Sequence, residues 1–387
     1  MAKYRYAVLG AGKQGVAIAY DLARFGDAAE ILLMDQRESV VAEGAARIQS
    51  LVPGAPVRAK AADFDQPESA TLLSGCDVAV SALPYRMNAT LARAAVKGGT
   101  SFCDLGGNTD VVRETLELDT AARAAGVCVV PDCGLAPGLN NVLAAHALTL
   151  VPGAKHVRMY CGGLPQEPVG PLGYRLFFSI DGLTNEYMGH ATIVRGGRLE
   201  NVEAFTEVEP FPGTRALGKL EAFFTSGGTS TAPEHLAGQL DTYEYKTIRY
   251  AGHFDKMRAM IELGLLDLEP VDVNGHAVAP RDLFHAVAEP RLDRGPTDDV
   301  VLLRVECTDA TGAGARFDMV QRLDPATGFT AMEQGTGYPT AAIAHALAGH
   351  QTRPGAYTPE RAGLGAKHLQ QLRKRGLAIK RTTIRAR

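Results

Sequence analysis

Residues 243 to 253 hold the densest group of side chains able to do acid–base chemistry. The run reads Tyr-Glu-Tyr-Lys-Thr-Ile-Arg-Tyr-Ala-Gly-His and ends at His253. In a strand, odd-numbered residues such as Arg249 would share one face and even-numbered residues such as Lys246 the other. Charged groups are costly to bury unless they are paired or bound to a ligand. The run therefore predicts a ligand site, and an edge strand with two solvated charges is the alternative.

A glycine turn rich in hydroxyls precedes this run, at residues 225–231. It reads Thr-Ser-Gly-Gly-Thr-Ser-Thr. Glycine lets the chain turn tightly, and hydroxyls both donate and accept hydrogen bonds. The composition suits a loop that contacts a polar ligand, and a solvated surface loop is the alternative.

The elements that must position such a site begin with a glycine fingerprint. A short apolar run precedes Gly10-Ala11-Gly12-Lys13-Gln14-Gly15, and a helical pattern follows it. In this arrangement the first glycine permits the tight turn, and the second lets the backbone approach a pyrophosphate. The third lets the helix pack closely on the strand. The helix N-terminus offers free N–H groups to the phosphates, so the segment predicts a dinucleotide site.

The next apolar run ends at Asp35, which lies 20 positions after the last glycine. A carboxylate at this position holds a ribose diol and repels a 2′-phosphate, which favours NAD over NADP. Arg37 follows two residues later and could soften that preference.

Strand and helix patterns alternate through the first third of the chain, which predicts a parallel sheet with ligands outside the carboxyl ends of its strands. Those ends contain Gly10, Leu83-Pro84, Asp104 and Asp132, which we expect to line a reaction crevice. Asp63 follows the third strand and could reach the adenine or its ribose.

Two later regions differ in character. From about residue 151 the pattern is rich in strands and turns, including a predicted strand at 177–180, which is typical of a mixed or antiparallel sheet. Helical patterns are predicted at 111–125 and again at 339–347. The basic residues after Glu360 predict a solvated C-terminal helix and a fraying end.

The composition limits the partners. The 387 residues carry a net charge of −3, so nothing calls for nucleic acid or an anionic membrane. No apolar stretch approaches the roughly 18 residues that span a bilayer, and the N-terminus enters a strand with no room for a signal peptide. The six cysteines lack the spacing of a zinc or redox motif, and no histidine pair suits a metal. We expect a cytoplasmic protein without a metal.

Several of these segments together resemble the saccharopine dehydrogenase-like family, and most of all its lysine 6-dehydrogenases, also called lysine ε-dehydrogenases. The resemblance is carried by residues 8–15, 132–138, 225–231, 245–253, 298–304 and 355–360. It implies an α/β fold in which a Rossmann NAD-binding domain at 1–138 is followed by an inserted α+β substrate and dimerisation domain at 139–336. A C-terminal helical segment at 337–387 would pack back on the Rossmann domain.

The resemblance implies NAD-dependent oxidative deamination of the ε-amino group of L-lysine. The products would be ammonia and allysine, which cyclises to a piperideine carboxylate. It also implies a homodimer or homotetramer whose only other partner is a small amino acid. One alternative is a reductase that condenses an amine with a carbonyl compound, as saccharopine and carboxynorspermidine formation do. Another is an NAD-binding sensor without turnover.

Hydride leaves the carbon only when the amine nitrogen is neutral. An alkylammonium has a pKa of about 10.4 and is charged at pH 7, so this chemistry needs a base to remove its proton. His253 and Lys246 are the candidates, since His titrates near neutrality and a desolvated Lys can do so. Asp132 could orient the base or hold the ammonium, and Arg249 offers a fork for the α-carboxylate. Further substrate contacts are expected from Tyr174, Tyr243, Tyr250 and Thr229. The expected cofactor contacts are Gly10, Gly12, Lys13, Gln14, Gly15, Asp35, Asp63, Leu83 and Pro84.

One residue departs from the family pattern. Members of the family carry an amide after the tyrosine of a Pro-Leu-x-Tyr segment, where this chain has Arg175 after Tyr174. An arginine facing the pocket would place a cation beside a substrate that is itself cationic, so the position of this side chain bears on the identity of the amine.

Overall fold

The computed structural model of the chain describes residues 3–65, 71–212 and 215–386. A seven-stranded parallel sheet and a nine-stranded mixed sheet dominate it, which confirms the predicted α/β fold class. Within the described ranges, no helix combines the length and the apolar character needed to cross a bilayer.

The parallel sheet belongs to the N-terminal part of the chain. Its strands are β1 (Tyr4–Leu9), β2 (Ala28–Asp35), β3 (Val57–Ala61), β4 (Val78–Ser81), β5 (Ser101–Asp104) and β6 (Cys128–Val130). Its helices are α1 (Lys13–Phe25), α2 (Glu38–Leu51), α3 (Asn88–Lys97), α4 (Thr109–Leu116) and α5 (Asp119–Ala125). The next helix, α6 (Asn140–Leu150), packs on the mixed sheet. The strand order 3-2-1-4-5-6 is that of a dinucleotide-binding fold, with the switch point between β1 and β4. Alternate residues of β1 enter apolar clusters on opposite faces of the sheet, so both faces are covered.

The single helix predicted at 111–125 is wrong, because the chain forms α4 and α5 instead. Asn108 caps α4 by accepting hydrogen bonds from the backbone of Asp110 (3.0 Å) and Val111 (3.2 Å). α5 restarts at Asp119, whose carboxylate binds Arg123 at 2.8 Å and the backbone N–H of Ala356 at 2.9 Å. The break therefore places a carboxylate where a late segment of the chain docks.

The mixed sheet and its flanking elements follow. The strands are β7 (Ala154–Pro165), β8 (His190–Arg195), β9 (Arg198–Glu203), β10 (Glu209–Phe211), β11 (Leu220–Phe224), β12 (Thr242–Tyr250), the hairpin β13 (Val271–Val273) and β14 (His276–Val278), β15 (Asp299–Asp309) and β16 (Gly314–Arg322). The helices are α7 (Ile180–Glu186), α8 (Ala232–Leu236), α9 (His253–Glu262) and α10 (Pro280–Leu292). β12 runs parallel to β7 and antiparallel to β11, so the polar run at 243–250 is an interior strand.

The strand predicted at 177–180 is also wrong, because α7 begins at Ile180. Ser179 is its N-cap, and its hydroxyl oxygen accepts a hydrogen bond from the backbone of Gly182 at 3.1 Å. The apolar residues before it are buried as a loop, so hydrophobicity here reflects packing and not strand pairing.

The C-terminal segment returns to both sheets. It contains α11 (Ala331–Ala348), β17 (Gly355–Ala356), α12 (Gly365–Lys374) and β18 (Ile379–Ile384). α11 packs on α1 so closely that a Cβ on Gly337 would lie 2.9 Å from the Cβ of Ala17. β17 extends the parallel sheet beside β6, and β18 pairs with β16. The expected fraying end is therefore wrong over residues 379–384, which form an edge strand.

Candidate active site

The glycine turn forms a cradle without side chains. Gly10 has φ of +96°, and a Cβ there would lie 2.8 Å from the carbonyl oxygen of Ala82. A Cβ on Gly15 would lie 1.8 Å from the carbonyl oxygen of Gly10, so helix and turn touch directly. A Cβ on Gly12 would meet nothing within 4 Å, which leaves open space at the N-terminus of α1. This combination fits the pyrophosphate of a dinucleotide.

Asp35 is attached to the same turn. Its carboxylate accepts hydrogen bonds from the backbone N–H groups of Ala11 and Arg37, each at 3.0 Å. The guanidinium of Arg37 also approaches it at 3.4 Å. Burial alone would raise the pKa of Asp35, but these donors outweigh burial and its pKa lies below the ordinary value. The carboxylate is therefore charged and correctly placed at the end of β2 for a ribose.

The other expected cofactor residues surround the cradle in different ways. Leu83 lies beside Gly10, where a Cβ would meet its side chain at 3.3 Å. Pro84 and Lys13 are exposed, and Asp63 is exposed in the turn after β3. Gln14 donates to the carbonyl of Met332 at 3.4 Å and so ties α1 to α11.

Two buried carboxylates lie at the carboxyl ends of β5 and β6. Asp104 accepts hydrogen bonds from the backbone of Gly106 at 2.7 Å and of Asp132 at 3.1 Å. Asp132 has φ of +60°, and one of its oxygens accepts a short hydrogen bond from Ser230. Its other oxygen is buried with no hydrogen-bond partner among the described residues. Such an oxygen is free to accept a proton.

The environment of Asp132 sets its acidity near neutrality. Burial raises the pKa of Asp132 to about 8, and the nearby carboxylates of Asp104 and Glu360 add to this effect, while the Ser230 hydroxyl opposes it. Burial also raises the pKa of Asp104 to about 6. Asp132 can therefore gain or lose a proton under ordinary conditions, as a general base must.

The hydroxyl-rich turn at 225–231 bridges the two sheets and is buried, not solvated. Ser230 binds Asp132 at one end, and at the other the backbone N–H of Ser226 donates to the carbonyl of Glu186 at 2.8 Å. A Cβ on Gly228 would lie 2.1 Å from the ring of Tyr245, so this position admits only glycine. Thr229 is also buried, and its hydroxyl donates to the carbonyl of Thr192 at 2.8 Å.

Arg249 lies at the centre of a buried polar cluster on the odd-numbered face of β12. Its Nε donates to the hydroxyl of Tyr187 at 2.9 Å, and its guanidinium lies 4.8 Å from the ring centre of Tyr174. The nearest carboxylate is Glu186, at 3.9 Å. The hydroxyl of Tyr174 is buried without a partner among the described residues. The cluster therefore has an under-neutralised cation and a free donor, which suits an incoming carboxylate.

Glu186 gives this cluster a second titratable group. Burial raises its pKa to about 7, against the opposing charge of Arg249. Its side chain is about one-third exposed, whereas that of Arg249 is almost fully buried.

His253 contacts this cluster through Tyr187. Its Nδ1 lies 3.0 Å from the carbonyl oxygen of Leu172 and must donate to it, which leaves Nε2 to accept from the hydroxyl of Tyr187 at 2.9 Å. Burial, together with the charge of Arg249, lowers the pKa of His253 to about 3. Both nitrogens are occupied, so in this geometry His253 fixes the hydroxyl of Tyr187 and has no ring nitrogen free for a substrate.

Other predicted residues do not join the cluster. Lys246 lies on the opposite face of β12, where its ammonium donates to the carbonyl of Glu207 at 2.8 Å and pairs with Glu209 at 3.3 Å. The hydroxyl of Tyr243 donates to Asn141 at 3.0 Å, and that of Tyr250 donates to the carbonyl of Pro165 at 2.9 Å. These contacts therefore hold the three side chains outside the cluster around Arg249.

Arg175 is bonded to the loop after α10. It donates to the carbonyl oxygen of Gly295 and pairs with Asp293 at 3.3 Å, so it fastens the loop after α10. The departure from the family pattern therefore adds no free cation to the cluster.

The sequence interpretation missed Glu186 and Tyr187. Both come at the end of α7, a helix that the pattern did not reveal, and neither belongs to a motif. In the parts of the chain that the structure describes, no group of three or more His, Cys, Asp or Glu side chains is arranged to hold a metal ion.

A dinucleotide cradle joined through a buried polar turn to a mixed sheet defines a two-domain protein of the Rossmann class. Residues 6–130 match the family model for the saccharopine dehydrogenase NADP binding domain, and residues 134–377 match that for the saccharopine dehydrogenase C-terminal domain. The chain belongs to the saccharopine dehydrogenase family.

Similar proteins include saccharopine dehydrogenase [NADP(+), L-glutamate-forming] from Schizosaccharomyces pombe, 26% identical over 237 residues. These residues cover 57% of this chain and 51% of that protein. The mitochondrial alpha-aminoadipic semialdehyde synthase of Rattus norvegicus is 26% identical over 212 residues, 51% of this chain and 22% of that protein. The chain thus matches about half or less of the length of these relatives.

The fold also matches a solved structure. The apo saccharopine dehydrogenase (L-Glu forming) of Saccharomyces cerevisiae superposes with a TM-score of 0.76 at 18% identity, covering 99% of this chain and 100% of that one. At this identity the match establishes the shared architecture of both sheets.

Proposed function

We propose that this protein is a nicotinamide-dependent dehydrogenase that oxidises the ε-carbon of L-lysine. The overall reaction converts lysine, an oxidised dinucleotide and water into allysine, ammonium, the reduced dinucleotide and one proton. The family supports oxidation of a carbon–nitrogen bond in an amino acid, and the choice of lysine is argued from the charges of the site.

The proposal rests on Arg249, a buried arginine that lacks a close counter-ion among the residues that the structure describes. Four cations are buried in the described parts of the chain: Arg175, Lys246, Arg249 and Arg375. Three of them have a carboxylate within 3.3 Å, whereas the nearest to Arg249 is 3.9 Å away. A single available guanidinium matches the single α-carboxylate of lysine.

The chemistry can be assigned to residues of this chain. The turn at 10–15 with Asp35 would hold a dinucleotide, and its nicotinamide would supply the hydride acceptor. Arg249 and the hydroxyl of Tyr174 bind the α-carboxylate, with Tyr187 and His253 fixing the guanidinium. Asp132 takes the proton that the ε-ammonium must lose before its lone pair can form the iminium, and passes that proton to solvent. It then takes a proton from the attacking water and returns it to the nitrogen, which leaves as ammonia while the new hydroxyl loses its own proton to give the aldehyde and ammonium.

Saccharopine is the second candidate substrate, because the relatives carry its name. It is oxidised at the same carbon and gives the same aldehyde, with glutamate leaving in place of ammonia. Its three carboxylates would require cations beyond Arg249, and for this reason we favour lysine.

Initial rates with lysine and with saccharopine, each with NAD and NADP, test the proposal. We expect lysine to support dinucleotide reduction without an added carbonyl compound, with ammonia released in equal amount. Reduction with saccharopine alone, accompanied by glutamate, would replace lysine with the second candidate. If the protein binds a dinucleotide in calorimetry but reduces it with neither amine, both candidate substrates would be contradicted. That result would favour a dinucleotide-binding sensor without turnover.

The same assay tests the preference for NAD. The charged Asp35 should repel a 2′-phosphate, so we expect kcat/KM with NAD to exceed that with NADP by about tenfold or more. Asp35→Ser removes the carboxylate and leaves Arg37 free to bind a phosphate, which should reverse the order. Glu38→Gln, which removes a neighbouring charge at the start of α2, is the control and should leave the preference unchanged. NADP preference in the wild-type protein would show that Arg37 outweighs Asp35.

A further inference from the structure

A cavity of about 480 Å³ lies away from the cradle, where α1, α11, β16 and the end of α12 meet. Tyr20 and Arg24 reach it from the last turn and a half of α1, whereas the cradle lies at the first residue of that helix. α1 has 13 residues, so its two ends lie about 20 Å apart at the ordinary helical rise. The cavity is therefore distinct from the dinucleotide site.

The lining of this cavity is cationic. It includes Arg24, Arg322 and Arg375, and its only carboxylate is that of Asp324. Asp324 already accepts hydrogen bonds from the backbone of Ala326 at 3.0 Å and from the hydroxyl of Thr327 at 2.7 Å. Because Arg375 is paired with Asp21 at 2.9 Å, the rest of the lining carries a balance of one positive charge, which attracts an anion.

Two of the arginines lack a counter-ion. Arg24 donates to the hydroxyl of Tyr20 at 2.7 Å, and Arg322 donates to the side-chain oxygen of Gln166 at 2.5 Å. Neither has a carboxylate within 4.0 Å in residues 3–65, 71–212 or 215–386, whereas Arg375 is neutralised by Asp21 at 2.9 Å. Each free guanidinium keeps several N–H donors for a ligand.

Tyr338 supplies an independent polar contact. Its side chain is 5% exposed and lines the cavity from α11, and its hydroxyl has no hydrogen-bond partner in the described part of the chain. Because this hydroxyl has no partner among the described residues, it is available for a hydrogen bond to a ligand in the cavity.

We propose that this cavity binds a small organic anion, a carboxylate or a phosphate, through Arg24, Arg322 and the hydroxyl of Tyr338. The proposal is independent of the reaction assigned to the other site, because it concerns binding and needs no turnover.

Calorimetric titration of the full chain with succinate and with inorganic phosphate tests it. The protein is first saturated with dinucleotide, so that the glycine cradle cannot take up the added phosphate. We expect one site per chain for at least one of the two probes, and the probe that binds identifies the head group. Failure of both to bind would overturn the proposal.

Variants locate the site. The double variant Arg24→Gln/Arg322→Gln should weaken the binding by about tenfold or more, and Arg198→Gln, which removes an exposed charge from the β8–β9 hairpin, should not. Tyr338→Phe should weaken it by about threefold or more. Unchanged affinity in the double variant would overturn the proposal, and if that variant does not fold, unchanged affinity in Tyr338→Phe would do so.

Discussion

Replacing Arg249 by methionine should lower kcat/KM for lysine by about 100-fold, mostly through a higher KM. The change removes a charge-assisted contact worth ~1.5–3 kcal/mol, and each ~1.4 kcal/mol is tenfold in rate. Arg249→Lys keeps the charge but loses the fork and the contact with Tyr187, so it should recover only part of the loss. Steady-state kinetics with circular dichroism to check folding gives the measurement.

Lys246→Met is the matched control for this prediction. Lys246 lies three residues earlier on the same strand, but on the face that contacts Glu207 and Glu209. Its replacement should change kcat/KM by less than about threefold, provided that the variant folds. A larger loss for Lys246→Met than for Arg249→Met would show that the substrate binds on the other face of β12.

Asp132→Asn should lower kcat by about 1,000-fold, the middle of the range for loss of a general base. In the wild-type protein the rate should rise with pH through about 8, because Asp132 can accept a proton only after losing its own. The Asn variant should lack this limb of the profile. A variant that kept more than about a tenth of wild-type turnover would remove Asp132 from the mechanism.

Stability provides a readout of Asp132 that does not depend on turnover. Its folded pKa of about 8 exceeds the ordinary value, so the folded state favours the protonated acid. This stabilisation is complete below about pH 4, the pKa of an aspartate side chain in the unfolded chain, and it is lost as the pH rises to about 8. Asp132→Asn should therefore melt close to wild type at about pH 4 and a few degrees above it at about pH 9.

The variant Ser230→Ala tests the acidity of Asp132 without removing its carboxylate. The Ser230 hydroxyl lowers the pKa of Asp132, so its removal should move the rising limb of the pH profile to higher pH. Turnover at the plateau should stay within about tenfold of wild type, because Asp132 itself remains. An unmoved limb would mean that another group controls the profile.

Local patterns predicted the elements near the cofactor well. Glycine spacing and alternating strands place Gly10, Gly12, Gly15 and Asp35 where the structure has them, because each constraint acts within a few residues of sequence. The period of two along residues 243–250 correctly separates Arg249 from Lys246. The pattern could not show which face meets the loop at 225–231, since this depends on distant packing.

Where the local pattern is insufficient, the reason is contact between distant residues. The titration range of histidine predicts His253 as a base, whereas burial, together with the charge of Arg249, lowers its pKa to about 3. The sequence predicts only an assisting role for Asp132, because nothing local reveals that Asp104 and Glu360 lie close enough to raise its pKa. The edge strand at 379–384 buries only its first residue fully, so its sequence reads as solvated.

The returning C-terminal segment has a consequence for synthesis on the ribosome. Residues 4–150 emerge long before α11, β17 and Arg375 exist, yet α1 packs on α11 and the buried Asp21 takes its counter-ion from Arg375. Until then the nascent N-terminal domain has one face of α1 uncovered, and its buried carboxylate lacks the partner that it has in the folded protein. This domain therefore completes its packing only after the C-terminal segment has been made, although its own strands come first in the chain.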